Sequence, residues 1–125
     1  MNKIVSPDAP QAIGPYSQAI QVGTFVFLSG QIGLDPQTGQ LCSDEIEQQT
    51  AQICQHLTAI CLAAGGHLSQ ICKLTVYLKD MHHIELVNEV MQRYFKVPYP
   101  ARATVAVLDL PKGAKIEIDG MMVLI

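Results

Sequence analysis

Apolar and polar positions alternate with a changing period along this chain, and the changes divide it into elements. Ala19 to Gln21 and Phe25 to Ser29 read as two short strands, with Gly23-Thr24 as the hairpin turn between them. Ahead of them, Pro7, Pro10, Gly14 and Pro15 keep residues 6–15 out of any helix, so this segment is an extended lead-in. Asp35-Pro36-Gln37-Thr38-Gly39 is a loop. From Asp44 the period lengthens: Ile46, Thr50, Ile53, Leu57, Ile60 and Ala64 recur at intervals of four and three, the stripe of an amphipathic helix. Asp44 with Glu47 three positions later fits a capping-box start, and Gly65-Gly66 fits a left-handed stop.

A period of two returns from Ile71 to Lys79, with Cys72, Leu74, Val76 and Leu78 on one face of a strand and Lys73, Thr75, Tyr77 and Lys79 on the other. A second helix runs from about Met81 to Phe95, its stripe formed by Ile84, Val87, Met91 and Phe95. Asn88 falls on that stripe, where a polar amide needs a partner or a polar cleft. Pro98 and Pro100 stop the helix before two final strands. In the first, Arg102, Thr104 and Ala106 share a face opposite Ala103, Val105 and Val107. In the second, Lys115, Glu117 and Asp119 oppose Ile116 and Ile118, and Pro111-Lys112-Gly113 supplies the bend between the runs. The predicted order is ββαβαββ, an α+β domain over residues 1–125 whose sheet carries two helices on one face. Its other face has no cover in a single copy, which points to an oligomer.

Composition narrows the class. A chain of 125 residues is one domain, able to bury a core without metals or disulfides. Charged residues make up only 15% and hydrophobic ones 49%, against a usual charged share of about 25%. Few charges on a small surface again suggest that other subunits cover part of it. The net charge of −3 gives no electrostatic pull toward nucleic acid or an anionic membrane. Cys42, Cys54, Cys61 and Cys72 contain no CxxC pair and no zinc spacing. Met1 to Asp8 lacks the apolar run of a signal peptide, so a cytoplasmic chain is expected. His82-His83 are adjacent, His56 and His67 lie eleven apart, and no HExxH is present, so no metal site is expected. No Gly-rich phosphate loop and no GxSxG occur either, and neither a metal nor a nucleotide cofactor is expected.

The last two strands carry the most informative chemistry. A guanidinium at Arg102 is a bidentate carboxylate binder, and a carboxylate at Glu117 can position or activate water. Together they suit the hydrolysis of a small anion. A plainer reading makes Arg102 half of a surface ion pair with Glu117 or Asp119, and Glu117 an exposed strand carboxylate. Tyr16 after Gly14-Pro15 either packs the N-terminal arm or presents its ring to a cleft. Ser29, Gly30 and Gln31 offer a hydroxyl and backbone amides to a ligand, or simply make a turn.

Three segments resemble the signatures of the RidA (YjgF) family of imine and enamine deaminases. Pro100-Ala101-Arg102 to Ile116-Glu117-Ile118 is similar to its C-terminal signature, Gly14-Pro15-Tyr16 to its N-terminal motif, and Leu28-Ser29-Gly30-Gln31-Ile32 to its Ser-Gly-Gln motif. The resemblance spans essentially the whole chain. It implies a chorismate-mutase-like homotrimer, with sites at subunit interfaces, that hydrolyses 2-imino and 2-enamino acids of the 2-iminobutanoate and 2-iminopropanoate type to ammonia and a 2-keto acid. It implies no cofactor and no nucleic-acid or membrane partner. By position it gives Arg102 the substrate carboxylate and Glu117 the hydrolytic water. Tyr16, Ser29, Gly30, Gln31 and Asn88 would border the substrate, and main-chain groups near Thr104 would hold the imine nitrogen. It gives no Schiff-base role to Lys73 or Lys79. Thr104 departs from the Cys that many members carry, Asp119-Gly120 from the usual Glu-Ala, and the connection into Pro100 is shorter than in many members. These departures keep open a non-catalytic small-carboxylate-binding or chaperone-like module on the same fold.

Overall fold

The computed structural model describes residues 1–125. Eight main elements follow one another: β1 (Asn2–Ile4), β2 (Ala19–Val22), β3 (Phe25–Gln31), α1 (Ile46–Ala63), β4 (Ile71–Leu78), α2 (Ile84–Tyr94), β5 (Ala101–Ala106) and β6 (Ile116–Val123). The strands form a single sheet in the order β1-β2-β3-β6-β4-β5, with β4 and β5 parallel and every other pair antiparallel. Both helices contribute to one apolar cluster with one face of this sheet. Ile53, Leu57 and Ile60 of α1 and Val87 of α2 pack with Val26, Leu28, Leu74, Val76, Leu78, Ile116, Ile118 and Met122, all of them buried. The opposite face is bare: Val22, Phe25, Phe27 and Val105 are each two-fifths to one-half exposed.

The α+β class, the two helices and the five longer strands match the sequence pattern, and the differences have local causes. Asn2–Ile4 adds a strand to the predicted order, pairing antiparallel with β2. Three residues are too few to display alternation, so pairing alone reveals it. The lead-in behind it is held by the buried amide of Gln18, which accepts from the Ser6 backbone N–H at 2.6 Å and donates to the Pro10 carbonyl at 2.8 Å.

At the start of α1 the capping box does not form. Glu45 is the cap residue and makes no side-chain cap bond. Ser43 instead accepts from the Glu45 N–H at 3.0 Å, and Gln49 donates to the Ser43 carbonyl at 2.9 Å. The other end behaves as expected, with Gly65 at φ +87° and the Gly66 N–H returning to the Cys61 carbonyl. In α2 the first turn, Met81–His83, is a 3₁₀ turn rather than α-helix, opened by Asp80 accepting from the His82 N–H.

In β4 the alternation breaks at its first residues. A register shift between Ile71 and Lys73 leaves Cys72 exposed and buries Ile71, so Cys72 does not share the face of Leu74, Val76 and Leu78. All four cysteines are free. Burial pushes the thiols of Cys54 and Cys61 up to about 12, so they pack as small apolar side chains.

His56 is buried on α1, with Nε2 placed 2.6 Å from the Leu34 carbonyl. This contact anchors the loop between β3 and α1. Burial pushes the imidazole below its ordinary 6.5, opposed by the Leu34 bond and the charge of Asp35. The unfolded chain therefore takes up the proton first as pH falls, and the stability contributed by neutral His56 is lost below 6.5. Urea midpoints should fall more steeply for wild type than for His56→Gln between about pH 7 and about pH 5.5; parallel profiles would contradict this role.

Candidate active site

Arg102 is positioned by the parallel pairing of β5 on β4. Leu74 pairs with Arg102 and Val76 with Thr104, so both lie on the helix side of the sheet, at its edge. The guanidinium reaches α2, where Nη1 donates to Asn88 Oδ1 at 2.8 Å and passes 3.7 Å from Met91 Sδ. That contact supplies the partner that a polar residue on an apolar stripe requires. It also fixes one end of the guanidinium while its other N–H groups remain exposed for an anion. Beneath lies a cavity of about 270 Å³ walled by Leu74, Met91, Phe95 and Tyr99.

Glu117 is positioned from the other side. In β6, Glu117 pairs with Tyr77 and Asp119 with Thr75, which puts both carboxylates on the bare face. The Glu117 carboxyl is half-buried, and that burial, seconded by the negative charge of Asp119, raises its pKa above the usual 4.5. Gly30 sits where the register of β3 shifts, and a methyl group there would stand 2.9 Å from Glu117 Cδ. The missing side chain is what leaves the carboxylate its space. Gln49 steadies the start of β6 by accepting from the Lys115 N–H at 2.9 Å.

A second cavity, of about 400 Å³, gathers Glu117 with Tyr16, Gly30, Gln31, Asp35 and Lys112. The Tyr16 N–H bonds the Gly14 carbonyl in a tight turn, and Ser29 donates its hydroxyl to the Ser17 carbonyl, fastening that turn to β3. Lys112 takes up a left-handed φ of 58° and donates its ammonium to the Gly39 carbonyl at 2.8 Å, closing the far rim.

The expected residues thus fall into two groups. Arg102 stands with Asn88; Glu117 stands with Tyr16, Gly30 and Gln31. The strands of Arg102 and Glu117 are not neighbours, because β4 lies between them, and β6 is an inner strand rather than an edge. Arg102 forms no ion pair with Glu117 or Asp119; the ion pairs are Lys79–Asp109 and Asp80–His82. Ser29 and Thr104 line neither cavity: the Ser29 hydroxyl is spent on the Tyr16 turn, and Thr104 Oγ1 is buried without a partner. Lys73 donates to the Leu74 carbonyl and Thr75 Oγ1.

Sequence reasoning missed the apolar wall of Met91, Phe95 and Tyr99 and the Lys112 rim. The α2 stripe places Met91 and Phe95 beside Asn88, so the wall was readable from that amide. Nothing in Pro111-Lys112-Gly113 announces a left-handed lysine. No cluster of three His, Cys, Asp or Glu side chains is placed to hold a metal ion.

Comparison with known proteins places the sequence and the fold. The family model described as Endoribonuclease L-PSP matches residues 6–124. A 2-iminobutanoate/2-iminopropanoate deaminase of Dermatophagoides farinae is 40% identical over 121 residues, covering 97% of this chain and 94% of that protein. The crystal structure of RidA from an Antarctic Psychrobacter superposes with a TM-score of 0.96 at 41% identity, covering 99% of this chain and all of that one. E. coli TdcF, solved with bound serine, superposes with a TM-score of 0.92 at 36% identity over 98% of both chains. With a matching family model over nearly its whole length and the three motifs at the two cavities, the chain belongs to the Endoribonuclease L-PSP family, the RidA/YjgF group.

Proposed function

We propose that this protein is a hydrolytic deaminase of reactive 2-imino and 2-enamino acids, the activity named for its Dermatophagoides relative. The observation that carries the reading is the state of Glu117: a half-buried carboxylate, raised in pKa, with Gly30 leaving open space beside it. Such a group holds a water and accepts its proton near neutral pH. Arg102, steadied by Asn88, supplies the complementary anchor for a substrate carboxylate.

The chemistry needs positioning and two proton movements. Glu117 takes a proton from water as the hydroxyl oxygen bonds to the imine carbon and the C=N electron pair moves to nitrogen. The proton then passes to that nitrogen, giving a carbinolamine; its hydroxyl proton moves through Glu117 to the same nitrogen as the C–N bond breaks, and ammonia leaves a 2-keto acid. An enamine first gains a proton on carbon and enters the same sequence. Fixing the carboxylate by Arg102 turns attack by water into a reaction within one bound assembly.

A single copy holds the anchor and the base on opposite faces, so the complete site is built between copies. The half-exposed Val22, Phe25, Phe27 and Val105 on the bare face supply apolar area for that contact. A closed homotrimer, with each interface taking Arg102 from one copy and Glu117 from the next, satisfies both requirements. No helix is long and apolar enough to cross a membrane. Its place is the cytoplasm, where free thiols persist.

The test is release of ammonia and 2-keto acid from imines generated in situ by an amino-acid oxidase, with semicarbazide trapping whatever escapes. Wild type should accelerate release, and Glu117→Gln should lower kcat by about 10²–10⁴-fold. Arg102→Ala should also abolish the acceleration, because the substrate carboxylate loses its anchor. Binding of 2-keto acids without any acceleration by folded wild type would overturn the reading in favour of a binding module.

Gly30→Ala should fold normally yet lose activity, because the added methyl displaces the Glu117 carboxyl. Unchanged kcat in Gly30→Ala would contradict the placement of the base. The kcat/KM profile should lose activity on the acid side at a pH above the ordinary 4.5 of a glutamate.

A further inference from the structure

Tyr77 stands directly across from Glu117 in the register of β4 and β6. A phenol in that place is the natural donor to the Glu117 carboxylate. The bond goes elsewhere: Tyr77 Oη donates diagonally to Asp119 Oδ2 at 2.9 Å. Both partners are on the bare face and partly buried.

We propose that Tyr77 and Asp119 form a diverting pair, in which Asp119 captures the phenol and so keeps the Glu117 carboxylate free for water. Asp119 is then a positioning residue with two effects. It removes a competing donor, and its charge sits two residues from the base on the same strand face. Both effects make Glu117 a better proton acceptor, in the same direction as the raised pKa. The phenol answers in kind: its own pKa is raised first by the bond to Asp119, so it stays protonated and remains a donor. The other ionisable groups around the Glu117 cavity are Tyr16, Asp35 and Lys112, and Lys115 lies two residues ahead, just before the strand begins. Lys112 is occupied by the Gly39 carbonyl. Next to Asp119, Gly120 lies tight against β4, where a methyl group would stand 2.7 Å from the Lys73 carbonyl.

This inference rests on Glu117 being the general base, and its test separates the two. Asp119→Asn keeps an acceptor for Tyr77 and removes only the charge; the acid limb of the kcat/KM profile should move down by about half to one pH unit. Asp119→Ala releases the phenol, which should turn onto Glu117 and lower kcat about tenfold. Adding Tyr77→Phe to Asp119→Ala should restore kcat to within about twofold of Tyr77→Phe alone. A merely structural role for Asp119 predicts no such rescue, and failure of the second substitution to restore activity overturns the proposal.

Titration of the ¹³C-labelled Glu117 carboxyl by NMR follows the same variants without reference to turnover. If wild type proves inactive, the deaminase reading fails. The diverting pair still stands or falls on whether Asp119→Ala lowers the Glu117 midpoint further than Asp119→Asn does, and whether Tyr77→Phe then removes that extra fall.

Discussion

Strand β4 is the constraint on which the rest depends. It takes β5 in parallel on one side and β6 antiparallel on the other, so two registers are counted from the same eight residues. Leu74, Val76 and Leu78 turn to the helices, and Arg102 and Thr104 turn with them. Lys73, Thr75 and Tyr77 turn to the bare face, and Glu117 and Asp119 turn with those. The separation of Arg102, the proposed anchor, from Glu117, the proposed base, is therefore a consequence of the pleat. No rotamer change carries a strand side chain through the sheet. A chemistry that uses both groups needs a second copy, and the apolar residues on the bare face need one for a different reason. Fully burying a side chain such as Phe25 or Phe27 is worth about 1.5–3 kcal/mol, and both are about half exposed in one copy.

The two halves of the proposed site are prepared by opposite means. Arg102 is held by a hydrogen bond from a helix that the core already fixes, with Val87 and Met91 buried on either side of Asn88. Glu117 is prepared by what is kept away from it. Gly30 contributes no side chain, and the nearest phenol is engaged by Asp119. An anchor benefits from preorganised donors, whereas a base that must take a proton from water benefits from an empty coordination sphere. The polar residues at the margins serve this arrangement. Gln49 fixes where β6 begins, and Ser29 ties the Tyr16 turn to the strand that carries Gly30.

Periodicity made most of the fold legible, because burial on one face of a strand or helix leaves a direct imprint on the order of residues. Ile116 and Ile118 inward with Glu117 and Asp119 outward is such an imprint, and so is the α1 stripe. What periodicity could not supply was pairing. That β4 inserts between β5 and β6 depends on long-range contacts which neither run encodes alone, and so the two signature strands look adjacent in sequence while lying apart in the sheet. Bulges were hidden too: the shift at Cys72 and the one before Gln31 arise from how neighbouring strands meet. For the site, Arg102 and Glu117 were readable as chemistry and, through the motif resemblance, as a pair. Their division between two faces needed the structure, as did the diversion of Tyr77 and the left-handed Lys112.

The most direct test of a site shared between copies is to mix two inactive variants. Arg102→Ala and Glu117→Gln chains would be unfolded together, refolded in equal amounts, and assayed for imine hydrolysis. In a closed ring, an interface assembled at random receives both intact side chains about one time in four, so the mixture should recover about a quarter of wild-type activity. Each variant refolded alone should remain inactive. Recovery at that level would show Arg102 and Glu117 meeting across an interface, whereas a mixture as inactive as its components would contradict the account.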